Sequence, residues 1–145
     1  MPGRVVAIDW GQARLGVAVS DPTRTLATPH TTLHEKDKGL QIRRTAALVA
    51  ELEATLVLVG LPLHLDGRES ESSATARRFA AKLATVVAPI PVALVDERLS
   101  SVEAAERLAE RPTKRRGDDV DRAAAAVMLQ AWLDQPPSTS GGEGA

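Results

Sequence analysis

Arg4–Asp21, RVVAIDWGQARLGVAVSD, is the stretch whose reading decides the fold. Val5, Val6, Ala7 and Ile8 make a short apolar run rich in β-branched side chains, which predicts a buried strand, and Leu15 to Val19 predicts its partner. Gly11, Gln12, Ala13 and Arg14 between them are few enough to turn a hairpin. Asp9 does not fit a plain core hairpin. An ionised carboxylate at the end of a core strand is costly to desolvate unless a cation or several hydrogen-bond donors lie against it. A divalent metal ion is the partner that best accounts for it.

Working outward, Leu26 to Leu33 predicts a third strand, and its Thr28, His30, Thr31 and Thr32 suit an exposed sheet edge. From Asp37 to about Glu53, Ile42, Val49 and Leu52, with Leu48 beside them, recur at helical spacing and predict a surface helix with one buried face. Leu56 to Gly60, LVLVG, is a continuous apolar run of the kind buried on both faces of a parallel sheet, and Leu61-Pro62 ends it. After the Asp66-Gly67 turn signal, about Ser70 to Ala88 predicts a second helix with Phe79, Leu83, Val86 and Val87 on one face. Val92 to Val95 predicts another buried strand, followed at once by Asp96-Glu97-Arg98. Ser100, with Glu103 at capping-box spacing, predicts a third helix to about Glu110. The basic link RPTKRR, Arg111 to Arg116, leads to a final helix from Asp118 that places Val120, Ala124, Val127 and Ala131 on one face.

The last ten residues, PPSTSGGEGA at 136–145, have nothing to bury and read as a disordered tail, leaving 1–135 as one domain. The order β-β-β-α-β-α-β-α-α describes an α/β fold: a mixed five-stranded sheet, a three-strand antiparallel meander plus parallel strands, flanked by helices. With the first strand beside the fourth, the ends of the first, fourth and fifth strands open on one edge, where ligands of open α/β sheets bind.

Composition narrows the function classes. With 145 residues and 43% hydrophobic content the chain can bury a sizeable core. Cysteine is absent, so neither a disulfide framework nor a thiolate metal site or nucleophile is available. No apolar run approaches the roughly 20 residues of a membrane span and Met1 to Arg4 lacks signal-peptide character, so a cytoplasmic protein without membrane partners is expected. The net charge of −1, from 18 basic and 19 acidic residues, excludes a surface that is basic throughout, and any nucleic-acid binding must come from local patches.

Three acids converge on the open edge: Asp9 at the end of the first strand, Glu97 after the fifth, and Asp121 in the first turn of the last helix. Asp121, like Asp118 and Asp119, also suits the positive end of a helix, and Glu97 suits an exposed ion pair with Arg98 or Arg14. Asp9, inside an apolar strand, resists such a reading. Carboxylate-only clusters suit magnesium or manganese, and scattered histidines with no cysteine argue against zinc. Two such ions about 4 Å apart can activate a water and stabilise the leaving oxygen in phosphodiester hydrolysis, so the chemistry points to a nuclease.

The segments AIDWGQARLGVAVSD, VLVGLPLHLDG, VDERLSSVEA and DVDRAAAAVMLQAWL follow one another as they do in the YqgF family, also called RuvX. The resemblance covers about residues 4 to 134. It implies a ribonuclease H-like fold, similar to Holliday junction resolvases, and nuclease action on pre-16S rRNA at its 5′ end during ribosome biogenesis, with cleavage of branched DNA as the alternative. By that likeness Asp9, Glu97 and Asp121 are the catalytic, metal-binding acids, holding Mg2+ or Mn2+, and Asp118 and Asp119 are neighbours. Periodicity alone leaves Asp96 and Glu97 open, because they point to opposite faces if the strand persists. Asp9 and Glu97 also start about two strand spacings, roughly 10 Å, apart.

Substrate phosphates call for local cations: Arg14 and Arg98 first, then Lys114, Arg115 and Arg116. Trp10 either stacks on a base or joins the core. The partners expected are nucleic acid and, in a homodimer, a second copy of the chain. Two further readings compete. Asp9-Trp10-Gly11 with Gly16 and Ser20-Asp21 is similar to the phosphate-binding hairpin of the actin, Hsp70 and sugar-kinase superfamily, but the chain has no second jaw to clamp ATP and no later glycine-rich phosphate loop. A ribosome-assembly factor that binds RNA without cutting is the other, and the intact acids argue against it.

Overall fold

The computed structural model describes residues 3–99 and 117–135. Its elements are β1 (Arg4–Asp9), β2 (Arg14–Ser20), β3 (Ala27–His34), α1 (Lys38–Glu51), β4 (Ala54–Leu61), α2 (Glu71–Val87), β5 (Val92–Asp96), a 3-10 turn at Glu97–Leu99 and α3 (Gly117–Leu133). The helix expected at Ser100–Glu110, the basic link 111–116 and the tail 136–145 lie outside the described residues. Among the described residues no helix is long and apolar enough to cross a membrane.

The strands form one sheet in the order β3-β2-β1-β4-β5, antiparallel from β1 to β3 and parallel among β1, β4 and β5. This is the expected mixed sheet with the first strand beside the fourth. β1 is apolar from Val5 to Ile8 because both of its faces are covered there. Val6 and Ile8 join Val57, Val59, Phe79 and Leu83 in a core beneath α1 and α2. Val5 and Ala7 join Leu58, Val95, Ala125, Ala126 and Leu129 beneath α3. The edge position read from the threonines falls to β3, whose Thr28, Pro29 and His30 are exposed.

Local capping chemistry fixes the helix starts. Asp37 accepts from the Leu40 amide at 2.9 Å and opens α1. Ser70 and Ser73 bond each other's backbone amides at 3.2 and 2.7 Å, a reciprocal box that opens α2.

Two helix faces differ from the sequence expectation. On α2, Phe79, Leu83 and Val87 are buried with Ala76 and Ala80, whereas Val86 is 53% exposed: the alanines extend the buried stripe away from it. On α3 the buried face is Ala125, Ala126, Met128 and Leu129, and Val120 and Ala124 point outward. The run AAAAVML carries no polar residue to mark an outer face, so periodicity left the rotation open. Gln130 decides it, accepting from the Ala27 amide at 2.9 Å and donating to the Thr25 carbonyl at 3.1 Å, which ties α3 to the start of β3.

Candidate active site

The site grows from strand alternation. Val5 and Ala7 face α3, so Asp9, two residues further, falls on the same side at the open end of β1. Leu58 and Val95 face α3 as well, and the same alternation carries Gly60 and Glu97 onto that side. Asp96 is thereby turned away from it, and the choice that periodicity left open falls geometrically on Glu97.

Gly60 removes the distance problem. β4 does lie between β1 and β5, but a Cβ on Gly60 would sit 2.5 Å from Glu97 Oε2 and 3.0 Å from its Cγ. The Glu97 side chain occupies the space that any larger residue would fill, and it crosses β4 to share a side-chain hydrogen bond with Asp9. On the other flank Asp9 pairs with Gly16 of β2. A Cβ on Gly16 would lie 2.0 Å from the Asp121 carbonyl oxygen, so α3 rests directly on the β2 backbone. Two glycines thus bring in the second and third acids, one by admitting a side chain and the other by admitting a helix.

The electrostatics follow from this crowding. Burial first, then the Glu97 charge and hydrogen bond and the Asp121 charge, push the Asp9 carboxyl up to about 7. Glu97 is also raised, by burial and by the Asp96 charge, while its bond with Asp9 pulls the other way. The two carboxyls therefore share a proton. Arg14 Nε lies 3.1 Å from Asp121 Oδ2, yet that oxygen is closed to solvent and among the described residues has no hydrogen-bond donor, so the contact is an ion pair off the hydrogen-bond line.

Hard oxygen ligands, like charges forced to share a proton, and a buried carboxylate oxygen without a hydrogen bond fit a divalent cation. Asp9 and Glu97 would hold it once their shared proton has gone. Asp121 would have to turn from Arg14, and among the described residues no three acids or histidines are gathered closely enough to ligate a metal together.

Two of the cations expected to meet substrate, Arg14 and Arg98, face carboxylates. Arg14 faces Asp121. Arg98 forks onto Asp96, with Nε 3.0 Å from Oδ1 and Nη2 2.6 Å from Oδ2, and its Nη1 donates to the Leu65 carbonyl at 3.1 Å. The Asp96-Glu97-Arg98 triplet therefore divides its work: Glu97 enters the site while Asp96 and Arg98 brace the loop after β4. Lys114, Arg115 and Arg116 lie outside the described residues, as do the side chains of Asp118 and Asp119. Asp21 lies at the far end of β2, where it accepts from the Thr25 and Leu26 amides.

Sequence reasoning missed Gln41, which is fully buried in α1. Its amide nitrogen donates to the carbonyls of Gly11, Gln12 and Glu35, and its oxygen accepts from Trp10 Nε1 at 3.1 Å. It pins the turn beside Asp9 to α1. A polar residue next to Ile42 on the apolar stripe was the available signal. A cleft of about 540 Å³ opens beside the acids, lined by Asp9, Trp10, Lys38, Pro62, Arg78 and Glu97 among others.

Residues 3–135 match the RuvX family model, described as Holliday junction resolvase. The chain belongs to the RuvX family. Curated relatives agree. A protein of Mycobacterium ulcerans named as a pre-16S rRNA nuclease is 46% identical over 142 residues, covering 97% of this chain and 84% of its own. One of Rhodococcus erythropolis with the same name is 48% identical over 139 residues, covering 92% and 78%. In fold, this RuvX chain is similar to Thermus thermophilus RuvC solved with a Holliday junction substrate, at a TM-score of 0.65 and 15% identity, covering 90% of this chain and 94% of that one. It is also similar to the yeast mitochondrial Holliday junction resolvase Ydc2, at 0.52 and 12% identity, covering 91% and 78%. The ribonuclease H-like architecture expected from the sequence is the architecture of these neighbours.

Proposed function

We propose that this RuvX chain is a metal-dependent hydrolase, a nuclease of the two-metal type that cuts phosphodiester bonds of pre-16S rRNA at its 5′ end, with Asp9, Glu97 and Asp121 as the catalytic acids that bind Mg2+ or Mn2+. The observation that carries the reading is the Asp9–Glu97 pair over Gly60 at the open sheet end. The names of the relatives supply the substrate. A bound divalent cation supplies Lewis-acid stabilisation of charge at the attacked phosphate. Asp9 must release the shared proton before both carboxylates can serve as ligands, which couples binding competence to pH. Glu97 is aimed by the 3-10 turn, whose start is held by the Arg98 amide donating to Asp96 Oδ1 at 2.8 Å. Arg98 carries the same brace to the loop at Leu65, shaping one wall of the cleft.

Cleavage of branched DNA is the second reading, favoured by the family's description and by the likeness to RuvC. Side-by-side digestion of a pre-16S rRNA 5′ fragment and a four-way DNA junction, each with magnesium and with manganese, separates the two. Cutting of the RNA that disappears in Asp9→Asn supports the first reading. Cutting of the junction alone moves the assignment to the second, and unchanged cleavage by purified Asp9→Asn removes the metal-ligand role.

A further inference from the structure

On the α1/α2 side of the cleft the floor is aromatic and the rim cationic. Trp10 is half-buried, fixed by its bond to Gln41 and packed near Phe79 at a centroid distance of 6.5 Å. These two rings, with Lys38, Thr75, Arg78 and Lys82 above them, line a smaller pocket of about 70 Å³ between α1 and α2. Trp10, Lys38, Thr75 and Arg78 also line the larger cleft that holds Asp9 and Glu97, so the two spaces are neighbours with a common wall. Unlike Arg14 and Arg98, these cations are not committed. Among the described residues the side chains of Lys38 and Lys82 have no ion pair or hydrogen bond, and that of Arg78 donates only to Thr75 Oγ1 at 3.1 Å.

We propose that this slot is a subsite for one unpaired nucleotide of the substrate strand next to the cleaved bond, its base against Trp10 and its flanking phosphates between Lys38 and Arg78. The inference rests on the nuclease reading of Asp9 and Glu97 and adds a selectivity to it: the strand must be single-stranded beside the cut. The physical grounds are an aromatic surface for a base, cations without carboxylate partners among the described residues for singly charged phosphates, and a wall shared with the cleft that holds the acids. Glu71 lines the same cleft and keeps its positive charge low, which suits a chain of phosphodiesters better than a compact polyphosphate.

The chain has two tryptophans, so Trp132→Phe leaves Trp10 as the fluorescent reporter. That variant is titrated, without divalent cation so that nothing is cut, with a single-stranded oligoribonucleotide and with its duplex, while anisotropy of the labelled RNA reports binding. The expected result is quenching of Trp10 by the single strand and weaker binding of the duplex. In Lys38→Ala/Arg78→Ala affinity falls roughly tenfold, and the slope of log affinity against log salt is shallower by about 1 to 2. Absence of binding, binding that leaves Trp10 emission unchanged, or a double variant with unaltered affinity and slope overturns the subsite. If such a failure accompanies normal RNA cleavage by the unmodified protein, the nuclease reading stands. If the subsite behaves as expected and no nucleic acid is cut with magnesium or manganese, the nuclease reading fails alone.

Discussion

At the scale of single residues, the acids and Gly60 pull stability and activity in different directions. Asp9 is buried against the Glu97 carboxyl and also feels the Asp121 charge, so its ionised form is a source of strain. Asp9→Asn keeps the shape and removes the charge. Cleavage is expected to vanish, while the metal-free protein gains about 1–2 kcal/mol at about pH 8, read as a higher melting temperature in calorimetry. Gly60→Ala makes the opposite point. The atoms a new methyl would meet are Glu97 Oε2, Cγ and Met128 Sδ, the outer parts of flexible side chains that can swing aside. Stability should change by no more than about 1 kcal/mol, but a Glu97 displaced by about 1 Å should lower kcat by tenfold to a hundredfold. Equal loss of stability and activity would show that Gly60 serves packing instead.

At the scale of elements, the decisive contacts are those that seat α3 and α1 on the sheet. Gly16 differs from Gly60 because its missing Cβ is replaced by helix backbone, the Asp121 carbonyl and the Arg122 amide, which no rotamer can move. Gly16→Ala should therefore shift α3 and cost about 1–3 kcal/mol, visible in urea denaturation, with Asp121 carried away from Asp9. Gln41→Leu removes the donor from three carbonyls and the acceptor from Trp10, and should cost about 2–4 kcal/mol while loosening the turn beside Asp9. These contacts mark where the sequence stopped being readable. Strand identity, sheet order and the candidacy of Asp9 were legible because a two-sided core strand is an apolar run and a lone carboxylate in it stands out. The rotation of α3 was not, since an alanine-rich helix carries no polar outer face. Nor was the bridge from Glu97 to Asp9. It depends on a space left by Gly60 on the strand between them, and sequence spacing contains no such distance. The ion pairs of Arg14 with Asp121 and of Arg98 with Asp96 were not legible either, because sequence spacing does not say which carboxylate a cation at the sheet end faces.

At the scale of the whole molecule, the balance of carboxylates sets how stability depends on pH. Asp9 has a carboxyl raised from 3.8 to about 7 in the folded chain, and Glu97 shifts the same way. A folded state that holds its proton more tightly than the unfolded chain is favoured below both pKa values, and that advantage is lost as pH rises through about 7. Asp21, Asp66, Glu69 and Asp96 shift downward, by hydrogen bonds and arginine partners, so their smaller contributions fade as pH falls into the acid range. The metal-free protein should consequently be most stable near about pH 4, lose stability as pH rises from there to about 7, and stay at that lower level at about pH 8. A divalent cation reverses the upper limb, since it binds the same carboxylates once their proton has gone, and at about a hundredfold excess over its Kd it adds about 2.7 kcal/mol. Scanning calorimetry at about pH 5 and about pH 8, with and without magnesium, checks both halves. The melting temperature should rise with magnesium at the higher pH and barely at the lower, and Asp9→Asn should abolish the difference. A metal-free melting temperature that climbs steadily to about pH 8, with no response to magnesium there, would mean that the acids neither share a proton nor hold a cation.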